Sequence, residues 1–96
     1  MAVLQIVKFN LKSSDSLEAF IALNQRFQDE VAPHIPGLER RESSISGDGK
    51  ATLFIKYRDM ESATAGPKAD SGNPIANDFM SMVDMSSMSA EFFPLI

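Results

Sequence analysis

Four side chains, Asn10, His34, Tyr57 and Arg58, have the type and the address to do chemistry. Asn10 closes an apolar run, where its neutral amide could steer a substrate carbonyl or dioxygen without bringing in a charge. The plainer reading is a strand-end asparagine bonded to nearby backbone. Tyr57 and Arg58 together offer a phenol and a fixed cation that could polarise an enolate or bind an acid. Set against that is an exposed strand end with Arg58 paired to Glu39. His34 is the one histidine of the chain, and an imidazole suits a general base or a single ligand. It sits in the loop Pro33-His34-Ile35-Pro36-Gly37, with Glu30 four residues earlier as a helix-end neighbour, and this is poor material for a metal site.

Met80, Met82, Met85 and Met88 have thioethers that Cu(I) accepts. Methionine more commonly fills irregular core gaps, so no metal is assigned to them. There is no P-loop, dinucleotide fingerprint, nucleophile elbow or histidine pair, and no cofactor is called for.

The elements that must position these groups are legible in the periodicity. Residues 3 to 11, VLQIVKFNL, put Val3, Val7, Phe9 and Leu11 on one face and Leu4, Ile6, Lys8 and Asn10 on the other, a strand with two useful sides. Asp15 and Glu18 have the spacing of a capping box, so a helix is expected from about Ser16. Leu17, Phe20, Ile21, Asn24, Phe27 and Val31 form its buried stripe, and Pro33 ends it.

A hairpin follows over 38 to 58. A two-residue Asp48-Gly49 turn would set Gly47 against Lys50 and Glu39 against Arg58. A three-residue Gly47-Asp48-Gly49 loop would pair Ser46 with Lys50 and turn every side chain of the first strand to the other face. Asp59 can cap a helix over 60 to 65, which Gly66-Pro67 ends, and 68 to 73 reads as a surface loop. Asn73-Pro74 restarts the helix, with Ile75, Phe79 and Met82 on its apolar side. A last strand is expected over 89 to 93.

A chain of 96 residues, 44% apolar and 23% charged, is a single small domain with a core of its own. A net charge of −4 without a basic stripe argues against nucleic acid as a partner. No cysteine is present, which removes disulfides, thiolate nucleophiles and cysteine zinc sites. The opening MAVLQIVKF has no signal-peptide pattern and no apolar stretch is long enough to span a bilayer, so the cytoplasm is the default location and no membrane partner is expected.

The order β-α-β-β-α-β is the ferredoxin-like α+β sandwich, a four-stranded antiparallel sheet with its helices on one face. The other face would carry Leu4, Ile6 and Phe54, more apolar surface than a lone domain leaves in water. Two copies placed sheet to sheet would cover it, so a homodimer is expected. If a ligand binds, it should lie between the sheet and the interrupted second helix, under the turn-rich segment 66 to 73 acting as a mobile cover.

The chain also resembles a family. VAPHIPGL at the end of the first helix, Pro36-Gly37-Leu38 leading into a strand, and LFIKYRDMESATA with Glu61-Ser62 opening a helix are similar to antibiotic-biosynthesis monooxygenase-like domains of the dimeric α/β-barrel superfamily. The resemblance implies a homodimer with a pocket between sheet and helices in each copy. It also implies cofactor-independent oxidation of polyketide-like aromatics, haem breakdown or muconolactone isomerisation, on a small aromatic or ketone. Asn10 matches a functional position of that family. The chain has no tryptophan, Met60 standing near where that ring is usual, and no histidine in the second helix, which disfavours haem chemistry. A non-catalytic ligand-binding module and a structural dimer remain as alternatives.

Overall fold

Val3–Leu11 forms β1, and every second residue from Val3 to Leu11 is buried, as a strand with helices over one face requires. The computed structural model describes residues 1–69 and 72–96. After β1 a short 3-10 turn at Ser14–Ser16 leads into α1, Leu17–Glu30. The capping box expected at Asp15 and Glu18 does not form. Ser13 instead accepts the Asp15 amide at 3.2 Å and caps the 3-10 turn, and Ser16 precedes α1 without a side-chain cap bond. Val31 ends α1, and a second 3-10 turn, Ala32–His34, absorbs Pro33.

The strands β2, Leu38–Ile45, and β3, Lys50–Tyr57, make the hairpin. Its turn is the three-residue one: Ser46 N–H donates to Lys50 O, Gly49 N–H donates to Ser46 O, and Gly49 has φ 83. Glycine is needed there because only a residue without Cβ takes that left-handed backbone cheaply. A bulge between Leu38 and Arg40 then adjusts the register, so Leu38 faces Tyr57 and Arg40 faces Lys56, and Glu39 does not sit opposite Arg58.

Beyond the hairpin, α2 covers Met60–Ala69, started by Asp59, whose carboxylate accepts the Ser62 amide at 2.7 Å. It runs through Gly66-Pro67 where a stop was expected. Asn73 caps α3, Pro74–Ser81, by accepting the amides of Ile75 and Ala76, so the interrupted second helix is present. Strand β4, Val83–Pro94, begins six residues earlier than the apolar pattern of 89 to 93 suggests. Its polar first half is held by pairing of Leu11 with Val83 and by a bulge opposite Lys8 to Asn10, where Asn10 N–H donates to Ser87 Oγ at 2.8 Å.

The sheet order is β2-β3-β1-β4, all neighbours antiparallel, which is the ferredoxin-like arrangement with β2 and β4 at the edges. Phe79 of α3 is the hub of the core, 6.0 Å from Phe9, 5.0 Å from Phe20 and 5.3 Å from Phe27, centroid to centroid. Such tilted and edge-on ring pairs add to the burial that holds helices on sheet. The other face carries Leu4, Ile6, Phe54 and Phe93, which register places together: Ile6 faces Phe54, and Leu4 faces Phe93. Among the described residues, no helix is long and apolar enough to cross a membrane.

Candidate functional site

Between the sheet and the helices α1 and α3 lies a cavity of about 460 Å³. Its floor is the inward face of the strands: Gln5, Val7 and Phe9 from β1, Arg41 from β2, Leu53, Ile55 and Tyr57 from β3, Met88 and Ala90 from β4. Its roof is Phe27 of α1 with Ala76, Asn77, Phe79 and Met80 of α3, and Ile35 and Leu38 close one side. The size and the predominantly apolar lining with few polar groups are those of a small-molecule site.

Arg41 is the unusual member. It is 6% exposed, and none of the ion pairs among the described residues includes it. Its guanidinium donates to two neutral amides, Nη1 to Gln28 Oε1 at 3.1 Å and Nη2 to Asn24 Oδ1 at 2.8 Å. Those acceptors stand four residues apart on α1, one above the other on one helix face. Its carbon lies 4.5 Å from the centroid of Phe27 and 5.6 Å from that of Phe79. Ring faces attract a cation, yet cancel none of its charge. Burial pushes the guanidinium down to about 10, with the neighbouring Tyr57 pulling the other way, so Arg41 stays cationic at neutral pH.

Register fixes the other two polar groups of the floor. Arg41 and Gln5 both face Ile55 from opposite sides, which sets their backbones two strand spacings, roughly 10 Å, apart on one face. Tyr57 follows Ile55 by two residues on the same face, roughly 7 Å along the strand. It is buried. Gln5 is 8% exposed, and its amide makes no side-chain hydrogen bond to another described residue. Since no fully enclosed polar side-chain atom lacks a partner, that amide keeps its opening onto the cavity.

No protein-family model and no curated protein matches the chain by sequence. Solved structures do match it. A monooxygenase-like protein of antibiotic biosynthesis from Nitrosomonas europaea superposes with a TM-score of 0.78 at 14% identity, covering 99% of this chain and 90% of that one. A monooxygenase from the ActVA-Orf6 gene of Streptomyces coelicolor, in complex with nanaomycin D, gives 0.73 at 15% identity, over 99% and 88%. A dimeric ferredoxin-like protein from an uncultured marine organism gives 0.68 at 13%, over 99% and 88%. The structural neighbours are antibiotic biosynthesis monooxygenase-like proteins of the ferredoxin-like fold. At these identities the likeness is one of fold.

Within that fold, the structure brings only Tyr57 of the four candidate residues to the cavity. Asn10 is exposed and shares the helix-free face with Leu4 and Ile6, since period two gives all even positions of β1 to that side. Arg58 is exposed at the end of β3 and stands 3.6 Å from Asp59 rather than against Glu39, which approaches Lys56 at 3.8 Å. His34 is exposed in its 3-10 turn and lines no part of the cavity. Of the methionines, Met80 and Met88 line the cavity and Met82 packs on the core, while Met85 is exposed.

The cover expected over 66 to 73 is in part α2, which reaches Ala69, and Asp70 and Ser71 lie outside the described residues. Periodicity alone did not single out Arg41 and Gln5. One signal was available: LERRESSI puts a charged residue inward in either hairpin register, and the three-residue turn makes that residue Arg41.

Proposed function

We propose that the protein is a small homodimeric enzyme that oxidises a planar phenolic or enolic aromatic in this cavity without a cofactor. One observation carries the reading: an aromatic-lined cavity whose floor holds a buried, uncompensated cation. A phenol bound with its oxygen near Arg41 loses its proton more readily, because the cation stabilises the phenolate in a low-dielectric site. The phenolate is electron-rich enough to give electrons to dioxygen. Oxidation to the quinone places one oxygen atom in the product and releases the other as water. Tyr57 and Gln5 would orient the ring, their polar atoms being fixed by strand register. Support comes also from the neighbouring monooxygenase folds and from the nanaomycin D held by one of them.

The dimer reading rests on Leu4, Ile6, Phe54 and Phe93 on the helix-free face and on the dimeric relative of the same fold. Without cysteine the chain needs no oxidising compartment, which suits the cytoplasm. A second reading, binding without turnover, is favoured by the lining itself, which among the described residues includes no carboxylate and no histidine to serve as base.

The test is oxygen uptake by the purified, metal-free and flavin-free protein with a dihydroxynaphthalene. One dioxygen consumed per quinone formed, lost in Arg41→Met, is the expected result. Stoichiometric binding with no uptake above the buffer rate supports the second reading and overturns the first.

A further inference from the structure

Resting on the cavity reading above, we infer that the cavity selects a ligand carrying a full negative charge, because the partners of Arg41, Asn24 and Gln28, are neutral amides that leave its charge unmatched. A guanidinium has five N–H donors, and two are used by Gln28 and Asn24. The rest have no acceptor among the described residues, on a side chain that is 6% exposed. A buried cation is ordinarily matched by a carboxylate, because leaving it unmatched is costly. Here the positions from which a carboxylate would reach it carry asparagine and glutamine.

Each differs from its acid by one amide group and offers the same oxygen acceptor without the charge. The guanidinium is thus fixed in orientation by two bonds while its charge is left for something else. Gln5, whose amide opens onto the same cavity from across Ile55, supplies a neutral donor and acceptor at the far end of the floor. The ligand class that satisfies both ends is a flat aromatic monoanion, a carboxylate or an ionised phenol at the Arg41 end and a neutral polar atom toward Gln5.

Naphthoate and its neutral isostere naphthamide test this by titration calorimetry at neutral pH. The wild type should bind naphthoate about tenfold to a hundredfold more tightly, the range of a charge-assisted hydrogen bond. Gln28→Glu places a carboxylate on the guanidinium. It should raise the melting temperature and bring the two affinities together, by weakening naphthoate alone. Gln28→Ala, which removes the amide without adding charge, should keep the preference. Equal affinities in the wild type would overturn the inference and leave the cavity reading standing. Survival of the preference in Gln28→Glu, or its loss in Gln28→Ala, would overturn it likewise. If neither probe binds, the inference falls together with the cavity reading on which it rests.

Discussion

A single side chain decides what this cavity can do. Arg41 costs the fold free energy, because among the described residues its desolvation is offset by two neutral hydrogen bonds and two ring faces and by no carboxylate. Arg41→Met should therefore fold with unchanged or higher stability, by on the order of 1 kcal/mol in urea unfolding, while binding of an aromatic anion is lost. A marked loss of stability would mean that Arg41 is structural. The lowered value of about 10 adds a pH signature. Naphthoate stays ionised throughout, so its affinity should be flat from neutrality until Arg41 in the free protein loses its proton near pH 10, and fall above it. A decline that begins near pH 7 would point to another group.

Gly37 matters for a different reason, with φ 78 and a Cβ position that would collide with the side chain of Ser62. Gly37→Ala should cost about 1–3 kcal/mol of stability and lower the denaturant midpoint, since it guides the chain into the strand that carries Arg41. Residue types at the surface were easy to read, but which candidate faces the cavity depends on strand parity. Parity puts Asn10 outside and Tyr57 inside.

At the level of elements, local signals and tertiary context divide the credit. The hairpin, the Asn73-Pro74 start and the Asp59 cap were legible because each depends on a few neighbouring residues. The polar first half of β4 was not, because pairing with β1 decides it, and neither was the passage of α2 through Gly66-Pro67. The hairpin turn could be narrowed to two registers, and the one adopted sends Arg41 inward.

Because α3 carries Ala76, Asn77, Phe79 and Met80 over the cavity, its cap is coupled to the site. Asn73→Ala should lower stability by about 1 kcal/mol, or roughly 4–8 °C in melting temperature for a domain this size. It should weaken aromatic binding in step. A cap loss with full binding would show that the roof does not need α3 in register.

For the molecule as a whole, the two faces of one sheet have separate jobs. The helix-covered face holds the cavity, and the bare face carries Leu4, Ile6, Phe54 and Phe93, the surface on which the proposed dimer rests. Phe54→Glu should convert a dimer to a monomer in sedimentation at micromolar concentration, because a charge would be buried opposite Ile6. An unchanged dimer would move the interface elsewhere.

The claim that the function resides in the cavity is tested most directly by amide chemical shifts during titration with naphthoate. Shifts should centre on Gln5, Arg41, Ile55, Tyr57 and Phe79. Shifts confined to Leu4, Ile6, Asn10 and Phe54, with the cavity residues unmoved, would contradict it.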